Sequence, residues 1–208
     1  MSYLSVSGEC VTRKTIEKSK FITTSRHVES EEEAVSFIAE ISKKYSDATH
    51  NCYAYIADTA GNFLRFSDNG EPQGTAGMPM LEVLKSNKLV QTAVVVTRYF
   101  GGIKLGAGGL VRAYSGSVAE NVSAAQKVLY EQCEESQYSV DYSAVDVVTR
   151  YFSENGADLI NVEYSNEVYF TAAVKKYNAE QFEAGLINRL NGRVKIKKIR
   201  EYYFPFKL

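Results

Sequence analysis

The sequence predicts an α+β protein of two domains. The chain has 208 residues, enough for two domains of about 100 residues each. Hydrophobic residues make up 45% of it, so each domain can bury a core. Strand-like and helix-like segments are interspersed, and their pattern changes near residues 126–136, where a short apolar stretch ends in polar and acidic residues. We therefore predict domains of residues 1–134 and 135–208.

The first assignable elements are a strand and a helix. Residues 20–28, KFITTSRHV, are typical of a strand, and residues 30–44 show apolar residues at helical spacing. Ser30 precedes Glu33 by three residues, which is the pattern of a capping box. Acidic residues lead this segment and lysines end it, an order that suits the helix dipole.

A hairpin, a loop and a buried strand follow. The segments NCYAYIAD and NFLRFSD flank TAGN, which indicates two strands joined by a turn. SDNGEPQGTAG is dense in turn-forming residues, and a short helix with Pro79 near its first turn comes after it. VQTAVVVTRYF is a nearly continuous β-branched run, which predicts a strand buried on both faces.

The glycine-rich segment TRYFGGIKLGAGGLVRAYSG leads from this strand into a helix of about residues 108–125. It is not a dinucleotide fingerprint, because Val111 stands where the third glycine belongs. It is not a Walker loop either, because Ala107 stands where lysine belongs. At 100° per residue, one side of the helix carries Val111, Tyr114, Val118, Val122 and Ala125. The opposite side carries Gly106, Gly109, Ala113 and Gly116.

This second side lacks the long polar groups of an ordinary surface helix. We expect another backbone or a ligand to approach it closely. Arg98, Lys104 and Arg112 flank the same turn, and a helix N-terminus with nearby cations suits a phosphate. The alternative is that these three are solvated or ion-paired charges.

Other polar residues suggest chemistry less strongly. Cys52 is expected to be a small buried residue, whereas His50 is a candidate polar site residue at the start of its strand. Asp68 and Glu71 lie in a loop, where they serve as turn and cap residues or as acid–base groups. A triad assembled from Ser67, His50 and Asp68 lacks the nucleophile-elbow motif. No zinc-ligand constellation is present, and we predict neither metal nor cofactor.

The second domain has its own order of elements: strand, helix, strand, strand, helix, strand. This β-α-β-β-α-β order predicts a ferredoxin-like fold. Two helix starts are indicated by the pairs Ser143–Asp146 and Asn178–Gln181, and two helix ends by Gly156 and Gly192. The final strand is basic between residues 193 and 200. This strip is either an ordinary solvated sheet face or a second contact with RNA.

Charge and cysteine content limit the class of protein. The formal net charge is −1, so the chain as a whole is not a strongly basic nucleic-acid binder. Three scattered cysteines give no disulfide framework, which favours a reducing compartment. The sequence starts without the basic head and apolar run of a signal peptide, and no stretch approaches the roughly 20 apolar residues of a membrane span. We expect a cytoplasmic protein that does not contact a membrane.

The segments SDNGEPQGTAGMPML and VVVTRYFGGIKLGAGGLVRAYSGSV closely resemble the bacterial YigZ proteins, relatives of the eukaryotic IMPACT proteins. The resemblance implies a first domain like domain 2 of ribosomal protein S5. It implies a second, ferredoxin-like domain similar to domain V of elongation factor G. The eukaryotic relatives act in translational control by binding a regulator of an initiation-factor kinase, through a chain with an added domain that is absent here. Some bacterial members have been labelled peptidases.

Together these observations predict a non-catalytic protein that binds RNA, the ribosome or translation factors and regulates translation. The resemblance places the shared surface around the loop and the glycine turn, with His50, Asp68, Glu71, Arg98 and Lys104 as candidates; Arg112 is added from its position beside that turn. Two alternatives remain. One is a small hydrolase that uses His50, Asp68 and Glu71, and the other is a protein-interaction module that binds no nucleic acid.

Overall fold

The computed structural model describes residues 2–207, which form two compact units, Tyr3–Val128 and Leu129–Phe206. Both units combine strands with helices, and the predicted α+β class is confirmed. One long strand, Lys127–Val140, runs through the division between the units. The predicted boundary after residue 134 falls within the same strand and stays a prediction.

The first unit is built on a five-stranded antiparallel sheet. Its strands are β2 (Glu9–Ile16), β3 (Ser19–His27), β4 (His50–Ile56), β5 (Leu64–Ser67) and β6 (Thr92–Tyr99). The short strand β1 (Tyr3–Val6) precedes them in the chain and is not part of this sheet. Its helices are α1 (Glu31–Lys44), α2 (Gly77–Ser86) and α3 (Gly106–Ala124). The sheet order is β2-β3-β6-β4-β5, and every neighbouring pair is antiparallel. No sequence pattern predicted β1 or β2, because β1 is short and β2 is an edge strand whose exposed Arg13 and Lys14 obscure the alternation.

Helices cover both faces of this sheet. Helix α1 packs on one face with Phe37 and Ile41, against Tyr55 and Val95. Helices α2 and α3 pack on the other face, where they share a larger apolar core with β3, β4 and β6. Strand β6 lies in the middle, and its first seven residues are buried. The prediction of a strand buried on both faces is confirmed.

Helix α1 begins as its sequence predicts. The Ser30 hydroxyl accepts a hydrogen bond from the Glu33 N–H at 3.2 Å. The Glu33 carboxylate returns to accept from the Glu29 N–H at 2.8 Å, one residue before the usual position. Both bonds satisfy backbone donors that a helix start leaves without partners.

The buried face of α3 differs from the predicted one. Val111, expected in the core, is 37% exposed, whereas Ala113, expected on the bare side, is 3% exposed. The face turns because Asn121 is buried and its side-chain amide donates to the Cys10 and Thr23 carbonyls, each at 3.1 Å. A helical wheel that sorts residues by hydrophobicity places asparagine outside the core. It therefore could not predict that hydrogen bonds bury Asn121.

The second unit contains the elements that the sequence predicted. They are strand β7 (Lys127–Val140), helix α4 (Val145–Glu154), strands β8 (Asp158–Tyr164) and β9 (Val168–Lys175), helix α5 (Ala179–Arg189) and strand β10 (Lys195–Lys207). The sheet order is β10-β7-β9-β8, and the ferredoxin-like fold is confirmed. A core of aromatic and aliphatic side chains, including Tyr138, Phe152, Phe170 and Phe182, joins the two helices to the sheet.

The helix ends in this unit are confirmed, and α5 begins after Asn178 as predicted, but α4 begins after Ala144 rather than Ser143, and neither predicted side-chain cap forms. Gly156 and Gly192 follow α4 and α5 with φ of +72° and +79°, the left-handed conformation that ends many helices. A single 3₁₀ turn precedes each helix, at residues 142–144 and 176–178. The residues that precede the two helices, Ala144 and Asn178, make no side-chain capping bond.

Within residues 2–207, no helix is both long enough and apolar enough to span a membrane.

Candidate functional site

A buried ion pair lies where β4 begins and β6 ends. Arg98 of β6 stands opposite His50 of β4 in the sheet, on the face covered by α2 and α3. The Arg98 Nη1 donates to the Glu71 Oε1 at 2.6 Å, and the two side chains are only 5% and 3% exposed. Glu71 comes from the loop after β5, so the fold brings together three of the predicted site residues.

Arg98 is held by several neighbouring side chains, although its buried Nε has no hydrogen-bond partner among residues 2–207. Its Nη2 lies 3.3 Å from the Ser19 hydroxyl, and its guanidinium lies 5.5 Å from the ring centres of both Phe21 and Phe100. These contacts stabilise a cation that burial would otherwise penalise. We therefore assign Arg98 to the scaffold of the site, in contrast to the open anion contact that the sequence suggested.

The Glu71 carboxylate also contacts Tyr114 and His50. The Tyr114 hydroxyl of α3 donates to Oε1 at 2.8 Å, and His50 Nε2 lies 3.8 Å from Oε2. The other ring nitrogen of His50 is 2.8 Å from the Asn69 carbonyl oxygen. Sequence reasoning missed Tyr114 as a polar partner. The signal was available, since a buried tyrosine hydroxyl nearly always requires a hydrogen-bond partner.

Cys52 lies beneath this cluster as a buried thiol. Its Sγ is 2.9 Å from the Asp68 carbonyl oxygen and 3.3 Å from the Tyr114 hydroxyl. Burial raises the pKa of the Cys52 thiol to about 12. The thiol therefore stays protonated at neutral pH and lacks the thiolate that a nucleophilic cysteine requires.

Asp68 is the cap of helix α2. One carboxylate oxygen accepts from the N–H groups of Ala76 and Gly77 at 2.9 and 2.8 Å, and the other accepts from the Gly74 N–H at 2.8 Å. Partial burial acts to raise the pKa of Asp68, but the three N–H donors outweigh it and the pKa is lowered. The carboxylate is thus fully used by the backbone, as the cap interpretation expects.

Replacing Asp68 by alanine is expected to destabilise the protein by about 1–2 kcal/mol at neutral pH, since α2 loses its cap. The lowered pKa makes this stabilisation complete above the ordinary aspartate pKa and removes it as pH falls through the folded-state pKa. Urea unfolding of parent and Asp68→Ala should therefore differ most near neutral pH and converge in acid. Asp58→Ala is the control, because Asp58 accepts a single loop N–H from Phe63. An equal effect of the two substitutions would contradict the capping role.

Lys104 and Arg112 lie apart from the ion pair, in an open groove at the start of α3. The groove has a volume of about 440 Å³. It is lined by Ile16, Glu17, Ile103, Lys104, Leu105, Gly109, Arg112 and Ala113. Both cations are exposed, and neither pairs with any side chain among residues 2–207. Helix α3 starts beside this groove, and its first N–H groups have no side-chain cap.

The predicted close-approach face is only partly a contact surface within the chain. A Cβ built on Gly106 or Gly116 meets no atom within 4 Å, so no part of residues 2–207 presses on them. Gly109 and Ala113 form part of the groove floor. The tightest approach is found at Gly101 instead, where a Cβ would lie 2.0 Å from the Lys18 carbonyl carbon.

The basic strand β10 is largely neutralised. Three of its cations pair with carboxylates of the same unit: Lys195 with Glu167, Lys198 with Glu134, and Arg200 with Glu135. Distances in these pairs are 2.7–3.0 Å. This agrees with an ordinary solvated sheet face rather than a second strip for RNA. In the described part of the chain, no three His, Cys, Asp or Glu side chains are grouped as metal ligands.

Two segments of the chain match known family models. The model of the Impact N-terminal domain matches residues 17–122, and that of a domain of unknown function, DUF1949, matches residues 139–193. The chain belongs to the IMPACT family. The buried ion pair, Lys104 and Arg112 all lie in the segment that matches the Impact N-terminal domain.

Bacterial IMPACT family members match over nearly the whole chain. The chain is 40% identical to IMPACT family member YvyE of Bacillus subtilis, covering 95% of this chain and 91% of that protein. It is 32% identical to IMPACT family member YigZ of Escherichia coli, covering 96% and 99%. A crystal structure described as that of a hypothetical protein is 31% identical, with a TM-score of 0.62 and coverage of 96% and 98%. The predicted resemblance is therefore confirmed.

Proposed function

We propose that this IMPACT family protein binds RNA, free or within the translation machinery, through the groove of Lys104 and Arg112, and that it regulates translation. The observation that carries the proposal is a contrast between cations. Arg98 is buried and neutralised by Glu71, whereas Lys104 and Arg112 are exposed and unpaired within residues 2–207. A phosphate backbone supplies the negative counter-charge that these two cations lack.

The surroundings of the groove also favour an anion. The N-terminal N–H groups of α3 carry partial positive charge and have no side-chain cap. The small residues Gly109 and Ala113 leave room for a ligand to reach them. Glu17 is the one acidic residue among the eight that line the groove, so two cations exceed one anion there.

We propose binding rather than catalysis because the candidate acid–base residues already have partners. Asp68 accepts three backbone hydrogen bonds, and Glu71 is paired with Arg98 and Tyr114. His50 contacts Glu71 and the Asn69 carbonyl. A hydrolase built on these residues would have to break contacts that stabilise the fold. All three cysteines are free thiols, which supports a cytoplasmic site of action.

The proposal is tested by titrating the full chain with fluorescent RNA of mixed sequence at several salt concentrations. Affinity should fall as salt rises, because binding releases counterions. The double variant Lys104→Gln/Arg112→Gln should bind more weakly and reduce the salt slope by about 2, roughly one for each lost phosphate contact. Lys85→Gln/Arg150→Gln is the charge-matched control, since Lys85 pairs with Glu82 and Arg150 with Glu154. Absence of binding at low salt, or an equal loss in the control, would reject the proposal.

A further inference from the structure

One part of the first sheet is not covered by a helix. Helix α1 covers the middle of its face, where β3 and β6 pair Arg26 with Ala93 and Thr24 with Val95. The end of the same face, toward the β2–β3 turn, carries a separate cavity of about 440 Å³. It is lined by Arg13, Lys14, Thr15, Lys20, Phe21, Ile22 and Tyr99.

The strand register explains which side chains share this surface. Lys20 stands opposite Thr15 on β2 and opposite Tyr99 on β6, and Ile22 stands opposite Arg13. Paired residues on neighbouring strands project to the same face of a sheet. The surface therefore combines an aromatic ring, an aliphatic side chain and two cations.

Two of the three cations that line this cavity have no partners in the described chain, whereas the third, Lys14, pairs with Glu120. Arg13 and Lys20 are exposed and make no ion pair with any of residues 2–207. Arg26, at the covered end of the same face, differs: it pairs with Glu9 and Glu40. The uncovered end is therefore a local excess of positive charge on a chain whose net charge is −1.

The surface continues into the groove of Lys104 and Arg112 around the tip of the β2–β3 hairpin. Ile16 and Glu17 line the groove, and Thr15 and Lys20 line the sheet cavity. Lys18 lies between them at the tip, exposed and without a partner among the described residues. One extended polyanion can follow this path.

We infer that the RNA bound by this protein is single-stranded, and that an unpaired base stacks on Tyr99 while Arg13, Lys18 and Lys20 contact its phosphates. The inference rests on the proposed function. The Tyr99 hydroxyl donates to Asp47 at 2.8 Å, which fixes the ring at the edge of the cavity. Only a base outside a duplex exposes a face to such a ring, and a basic groove with aromatic platforms is the usual means of binding single strands. An acidic peptide supplies charge but no planar base for the ring.

The test compares the full chain on three probes of equal total charge. They are oligouridylate, its abasic counterpart of the same length, and a duplex of half that length, whose two strands together carry the same number of phosphates. Oligouridylate should bind at least about fivefold more tightly than the abasic probe, because stacking is absent from the latter. Tyr99→Leu should lose this preference, whereas Tyr99→Phe, which keeps the ring without the bond to Asp47, should retain it. Arg13→Gln/Lys20→Gln should weaken binding to both single-stranded probes, and Lys85→Gln should not.

The outcomes separate this inference from the proposed function. If RNA binding depends on Lys104 and Arg112 but Tyr99→Leu keeps the parental preference, the proposed function stands and the stacking site is rejected. Equal affinity for the duplex and the single strand, or for an acidic peptide of matched charge, also rejects it. If no probe binds, the proposed function and the inference fail together.

Discussion

Replacing Arg98 by methionine is expected to destabilise the first unit by about 3–5 kcal/mol, because it leaves the Glu71 carboxylate buried without its counter-charge. Methionine retains much of the apolar contact with Phe21 and Phe100, so the loss of charge dominates. Tyr114 continues to donate to Glu71, but one neutral donor does not offset the desolvation of a carboxylate. The measurement is urea unfolding of the full chain, followed by a probe of the first unit.

A double-mutant cycle isolates the pair itself. Arg98→Met combined with Glu71→Gln should cost clearly less than the sum of the two single substitutions, since no unpaired charge remains. Lys14→Met is the control, because the exposed pair of Lys14 with Glu120 is worth at most about 1 kcal/mol. Strict additivity in the cycle, or a cost of Arg98→Met as small as that of the control, would show that the buried pair does not stabilise the unit.

The sequence predicted the elements well where local signals agree with one another. Ser30 and Glu33 set the start of α1, and the order of six elements was sufficient for the ferredoxin-like unit. The partner of Arg98 was not predictable in the same way. Glu71 lies 27 positions earlier, in a loop whose path depends on Asp68 holding the start of α2. A residue's partner across such a loop is a property of the tertiary fold.

The glycine turn shows the same division. The sequence indicates that small residues are needed near α3, because glycine destabilises a helix unless closeness is required. It does not show which glycine is the close one. The helical wheel placed Gly116 on the predicted close-approach face, but Gly116 faces open space. The close backbone contact is made by Gly101, which lies before the helix begins. A wheel considers one helix at a time, and the neighbour of Gly101 is the β2–β3 hairpin, more than 80 positions away in the chain.

Replacing Gly101 by alanine is expected to destabilise the first unit by about 3 kcal/mol, the upper end of the cost of overpacking. The added Cβ would lie 2.0 Å from the Lys18 carbonyl carbon and 2.4 Å from the Ser19 nitrogen. These are backbone atoms of a turn, so no side-chain rotation relieves the clash and the hairpin must move. Its movement also strains the Ser19 hydroxyl, which accepts from the Gly101 N–H at 3.1 Å and contacts Arg98.

Gly116→Ala provides the matched control, because it adds the same methyl group to the same segment. Gly116 lies within α3 with open space around it, so alanine should stabilise the helix by about 0.5–1 kcal/mol. Chemical denaturation of both variants gives the comparison, with opposite signs expected. The displaced hairpin tip carries Lys18, which lies between the two basic surfaces. Gly101→Ala should therefore also weaken the proposed RNA binding at temperatures where the variant is still folded, whereas Gly116→Ala should not. Equal stability of the two variants would mean that the β2–β3 turn moves at no cost in free energy. The close contact at Gly101 would then not hold the hairpin in place.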